Sequence, residues 1–95
     1  MERADFLSLL SDEGYSEVAT VEREAHGSID LHAHPFEAKA LILNGEIRLR
    51  IGEAEQVFRA GEVFHLRANE PHRESYGPDG VIYLVGRKNS AVTPS

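Results

Sequence analysis

After Gly14 no stretch of this chain keeps one character for long: segments of four to seven residues are cut apart by clusters of Gly, Pro, Asn and Asp. That rhythm leaves no room for a long helix. It is the sequence form of an all-β barrel or sandwich, in which each short strand crosses the core once and the chain turns back. About eight such segments lie near residues 17–24, 28–33, 39–43, 46–51, 55–59, 62–66, 72–76 and 81–86. In the fourth, Ile47, Leu49 and Ile51 face one side and Glu46, Arg48 and Arg50 the other, so that strand has one buried and one wet surface. Asn44-Gly45, between the third and fourth segments, reads as a tight hairpin turn, and Pro78 to Gly80 as another turn.

Ahead of the strands, Phe6, Leu9 and Leu10 recur at i, i+3, i+4 between Asp5 and Gly14, which predicts a helix over about 4–13. A helix this short must dock on something to persist. The whole predicts one domain over 1–95, with the barrel at about 15–87 and a loose tail at 88–95.

Composition narrows the chemistry. The chain has no cysteine, which excludes disulfides, thiolate metal sites and a cysteine nucleophile and leaves His, Asp and Glu as metal ligands. Sixteen acidic residues against ten basic ones give no footprint for a phosphate backbone, so no nucleic-acid partner is expected. The longest apolar run is Val81 to Val85, and the N-terminus carries Glu2 and Asp5 where a secretory signal would be basic then apolar. No membrane partner and a cytoplasmic location are expected.

Of five histidines, His32 and His34 stand two apart and His72 follows Pro71. On a strand, residues two apart point to one face with side chains roughly 6 to 7 Å apart, so both imidazoles reach a single ion. Neutral imidazole suits zinc, iron, nickel, copper or manganese. A His-x-His pair alone is more often a polar strand face than a ligand pair; the surrounding spacing says more.

The stretch Gly27 to Gly45, GSIDLHAHPFEAKALILNG, resembles the first motif of the cupin superfamily, and Gly61 to His72, GEVFHLRANEPH, resembles the second. Ten residues separate His34 from Gly45, fifteen separate Gly45 from Gly61, and His72 falls eleven positions after Gly61, as in the family pattern. The resemblance is to small single-domain cupins and covers residues 27–72, about half the chain. It implies a cupin-like double-stranded β-helix, or jelly-roll, barrel with a short N-terminal helix and a site inside holding a divalent transition metal (Fe, Mn, Ni or Zn) on His32, His34 and His72.

The sequence also departs from the pattern. The family's glutamate ligand would fall at Ala38, with Glu37 one place early; Arg67 and Asn69 replace the usual Pro and Gly, Tyr76 replaces Asn, and Gly27 comes one place late. Strict alternation from His34 aims Phe36 and Ala38 inward, so Glu37 joins the metal only if Pro35 and Phe36 form a bulge. Alternation from His72 puts Glu74 and Tyr76 inward and Arg73 and Ser75 outside. Glu74 is then a further ligand, an orienting partner for a histidine ring, a general base, or a rim salt bridge. Tyr76 is a catalytic donor or a core residue with a satisfied hydroxyl. His65 reads as an edge histidine, His26 as an exposed turn residue, and Arg23, Arg48 and Arg50 as decoration of a wet sheet face.

Three functions compete. The first is a metal-dependent enzyme on a small organic molecule, of dioxygenase or isomerase type, with Glu74 and Tyr76 as catalytic groups. The second is a non-catalytic small-ligand binding or sensor barrel, and the third a metal-free structural barrel. Exposed sheet edges and a small core also predict a homodimer.

Overall fold

Among the described residues six strands account for the segmentation, two of them much longer than any segment. The structure, a computed structural model, describes residues 1–89. Helix α1 (Arg3–Asp12) is followed by β1 (Glu17–Arg23), β2 (Ser28–His32), β3 (Phe36–Ile51), β4 (Ala54–Arg59), β5 (Val63–Leu66) and β6 (His72–Asn89). All pairings are antiparallel. The sheet runs β1-β6-β3-β4, with β2 also on β6 and β5 also on β3.

The long strands β3 and β6 each serve two patches of sheet. Residues 36–42 of β3 lie between β5 and the last part of β6, which also carries β1. Residues 47–50 of β3 lie between β4 and the first part of β6, which also carries β2. Inward side chains of the two patches, Ala40, Ile42, Val81 and Val85 from one and Ile47, Leu49 and Tyr76 from the other, meet in one core. The open sheet thus wraps on itself in the manner of a double-stranded β-helix.

The corner between patches corrects the hairpin expected at Asn44-Gly45. The β3–β6 register slips by one residue between Ile42↔Tyr83 and Asn44↔Ile82, and residues 77–80 stand opposite Glu46 alone. Bulges bend strands and sharpen their twist. Asn44-Gly45 is therefore a bend within β3, and Pro78 to Gly80 is the bulged stretch of β6 that faces it rather than a turn. Gly45 has φ +77°, and a Cβ there would sit 2.1 Å from the Gly80 carbonyl oxygen. The residue type favours a hairpin, but here the same positive φ serves a close approach of two backbones.

α1 ends where Gly14 takes φ +84° and the Tyr15 N–H donates to the Leu10 carbonyl at 2.9 Å. Its stripe is buried on the outer face of the chain's own sheet: Phe6 and Leu10 pack with Tyr15, Leu41 and Leu84, while Leu9 is only partly covered. Leu10→Ala should cost about 2 to 3 kcal/mol in a denaturant melt, the lower part of the Leu→Ala range because a docked helix can settle inward. A loss below about 0.5 kcal/mol, the scale of an ordinary surface change, would show that the helix is not docked.

Lys88 and Asn89, expected in a loose tail, belong instead to β6, and the Lys88 ammonium donates to the Glu13 carbonyl at 2.7 Å. The rest of that tail lies outside the described residues. Among the described residues no helix is long and apolar enough to cross a membrane.

Candidate metal centre

β2 descends against β6 until His32 stands opposite His72. Two residues on, His34 is pinned by the Asn69 N–H, which donates to the His34 carbonyl at 2.6 Å. Asn69 has φ +62°, a left-handed conformation that Asn tolerates better than most residues, so the turn survives without the usual glycine. The ring centroids of His32, His34 and His72 are 4.2 to 5.3 Å apart. Glu74, two residues beyond His72 on the same face, completes a group whose four ligand atoms all lie within 4.8 Å of one another. Two ligands on opposite sides of an ion with bonds near 2.1 Å stand about 4.2 Å apart, so the set is of a size one ion can gather.

The hydrogen bonds show why a cation fits. His32 Nδ1 lies 2.8 Å from the Asp30 carbonyl oxygen and His72 Nδ1 2.9 Å from that of Glu70. A carbonyl only accepts, so both Nδ1 atoms carry the proton, and in the neutral rings both Nε2 atoms present lone pairs. Both Nε2 atoms are 3.2 Å from the same Glu74 Oε2. Acceptors converging on one point require a proton or a metal ion among them. Backbone carbonyls that fix the far ring nitrogen are the usual supports of metal-binding imidazoles.

The electrostatics follow from burial. His34 is held below the usual imidazole range, first by burial and then by repulsion from the other two rings. For His72 burial also pushes down, but the bonds to Glu74 and the Glu70 carbonyl outweigh it and the net shift is upward. Glu74 is opposite in sign: burial raises it, while the His72 ring, which can donate to it once doubly protonated, and the Tyr76 hydroxyl bring it below the ordinary carboxylate value. The Tyr76 hydroxyl donates to Glu74 Oε1 at 2.8 Å, and burial together with that carboxylate holds it protonated.

Beside the cluster is a cavity of about 160 Å³. His32, His34 and Glu74 form part of its wall, with Val21, Ile29, Phe36, Ala38, Leu66 and Val85 as apolar lining and Tyr83, Arg23 and Arg87 as further polar groups. Ala38 thus contributes open space where the family pattern has a carboxylate. Arg23 is exposed, as expected, but it also borders the cavity because it is in phase with Ala19 and Val21 on β1. Arg48 and Arg50 do lie on the exposed face.

Glu37 does not join the histidines. The β3–β6 register is unbroken from Phe36 to Ile42, so no bulge turns Glu37 inward, and its carboxylate instead bonds the His65 ring on the outer face. The expectation of Glu37 as a ligand is corrected to an outer Glu37–His65 pair, while His26 sits in an exposed turn at φ +59°. The His65 bond is the main reason the Glu37 pKa lies below its ordinary value of 4.5. A depressed carboxylate stabilises the fold above its unfolded pKa and loses that contribution as pH falls through the folded value. Glu37→Gln should therefore cost up to about 1 kcal/mol at pH 7, as partly exposed pairs do, and the difference from wild type should shrink below pH 4.5. Urea melts at the two pH values check this, and metal content should not change.

Comparison with known proteins adds family and fold. The cupin domain model matches residues 19–78, which include all three histidines and Glu74. No curated protein matches the sequence. An RmlC-like cupin from Shewanella frigidimarina is 17% identical with a TM-score of 0.66, over 79% of this chain and 67% of that one. The DMSP lyase DddQ from Ruegeria pomeroyi is 22% identical with a TM-score of 0.70, over 80% of this chain and 39% of that one. The Cnp3 cupin domain of Schizosaccharomyces pombe is 14% identical with a TM-score of 0.70, over 79% of this chain and 53% of that one. The chain thus spans about two thirds of the first of these proteins and less of the other two. At such identities the likeness is one of fold.

Proposed function

The chain belongs to the cupin family, and from that premise we propose that it holds one divalent transition ion on His32, His34, His72 and Glu74 and uses it on a small organic molecule admitted to the adjacent cavity. The observation that carries this reading is the meeting of two imidazole lone pairs and a carboxylate oxygen at 3.2 Å, with a third imidazole within reach. Glu74 supplies from β6 the carboxylate that Ala38 does not supply from β3.

When bound, such an ion acts as a Lewis acid and keeps positions open for a ligand. The chain's own groups prepare the place. Carbonyls of Asp30 and Glu70 hold two rings in the ligating tautomer, and the Tyr76 hydroxyl fixes Glu74 by occupying Oε1. That hydroxyl is therefore a positioning group for Glu74. The apolar lining keeps water from competing with a carbon-bearing ligand. The likeness to a DMSP lyase supports chemistry on a small molecule; the alternative reading, a barrel that binds a small ligand without turnover, uses the same site.

The test is metal titration of the chelator-stripped protein with Zn²⁺, Mn²⁺, Ni²⁺ and Fe²⁺. One ion per chain is expected, with affinity falling as pH drops below the ~6.5 typical of histidine, because protons compete for the same nitrogens. Failure to retain any of the four at neutral pH would overturn the reading.

A further inference from the structure

We infer that the cavity beside the histidines is a binding site for a short-chain monocarboxylate, whose carboxylate is held by Arg23 and Arg87 while its hydrocarbon body lies on the apolar lining. The inference rests on the proposed function only in placing the body of the ligand next to the metal. The carboxylate end depends on the two arginines and not on the metal.

Both arginines line the cavity, Arg87 half-buried and Arg23 exposed. They reach it from different places: Arg23 stands opposite Val81 at the end of β1, and Arg87 opposite Glu17 at its start. The hydroxyl of Tyr83, which also lines the cavity, has its pKa raised by burial and then by Glu74, while both arginine charges act in the opposite direction. The chain has sixteen acidic residues to ten basic ones, so a cation has many carboxylates to choose from. Lys39, Arg48, Arg59 and Arg73 each have one within 4.0 Å. Among the described residues Arg23 and Arg87 have none, as is true of Arg3, Arg50, Arg67 and Lys88, but Arg23 and Arg87 are the two of these that line this cavity: Arg23 bonds the Glu22 carbonyl at 3.4 Å and the Tyr76 hydroxyl, and Arg87 lies over the Phe36 ring at 5.5 Å. Two guanidinium groups at a concave, largely apolar site whose lining carboxylate, Glu74, is taken up by His32, His72 and Tyr76 are equipped for one that arrives with a ligand, since the planar fork matches a carboxylate with two parallel hydrogen bonds.

Size and lining fix the rest of the ligand. A cavity of about 160 Å³ is close to the ~150 Å³ void that accepts benzene in other proteins, which sets a body of about six non-hydrogen atoms. Val21, Ile29, Leu66 and Val85 offer nothing to a hydrated inorganic anion and suit a short aliphatic chain.

The experiment titrates butyrate, its neutral counterpart butyramide, and inorganic phosphate into metal-free and zinc-loaded protein, followed by amide chemical shifts. Butyrate should bind both forms, at least tenfold tighter than butyramide or phosphate, with shifts centred on Arg23, Tyr83 and Arg87. Arg23→Gln and Arg87→Gln should each weaken butyrate about tenfold, the corresponding Lys variants less, with unchanged shift dispersion and zinc content. Equal binding of butyrate and butyramide, tighter binding of phosphate, or wild-type affinity in the variants would each overturn the inference. Loss of the metal reading would show separately, as protein that retains no zinc while the metal-free butyrate titration stands.

Discussion

His72→Ala should empty the proposed metal centre. His72 is 1% exposed and its Nε2 faces the shared Glu74 oxygen, so alanine removes a ligand from the buried side of the cluster. Losing an outer-sphere support of a metal site typically costs 10- to 100-fold in affinity, and losing a ligand atom should cost more than the upper end of that range. Elemental analysis after gel filtration should find under a tenth of the wild-type occupancy, with His32→Ala and His34→Ala behaving alike and His26→Ala unchanged. Glu74→Gln keeps an acceptor oxygen and loses the charge, so it should fall between the histidine variants and wild type. Wild-type metal content in His72→Ala would remove the proposed site, whatever the other variants did.

The histidine cluster was legible in sequence because spacing on a strand translates directly into a shared face: His32 with His34, and His72 with Glu74 and Tyr76, need only the two-residue period. What spacing could not show is how the two long strands bend. Asn44-Gly45 has the residue types of a hairpin, and nothing local distinguishes a turn from a bulge pressed against Gly80, thirty-five positions later in the chain. The place of Arg23 beside the cavity is hidden in the sequence for a different reason. Val18 on β1 is exposed at 47%, so apolar character does not mark the inner face of that strand. The phase Ala19, Val21, Arg23 was available in the sequence, but only pairing with Tyr83 and Val85 of β6 identifies it as the inward one. Glu37 could be placed outward by alternation alone, whereas its partner His65, twenty-eight positions away, became visible only with β5 paired to β3.

Gly45→Ala should be the most damaging small substitution in the fold. The left-handed φ of +77° strains any residue with a Cβ by roughly 1 to 2 kcal/mol. The added carbon would also meet the Gly80 carbonyl oxygen at 2.1 Å and its carbon at 2.9 Å, contacts with backbone that no side-chain rotation relieves. Forcing the β3 and β6 corners apart adds a packing cost of up to about 3 kcal/mol, for a total near 4 to 5 kcal/mol. For a domain of this size that lowers Tm by roughly 20 °C or prevents folding altogether. Gly52→Ala separates the two causes. Gly52 has φ +60° with no atom within 4 Å of its would-be Cβ, so it carries the strain without the clash and should cost only about 1 to 2 kcal/mol. Equal melting temperatures for the two variants would mean that the corner is not closed as described, and Gly45 would then be needed for its backbone conformation alone.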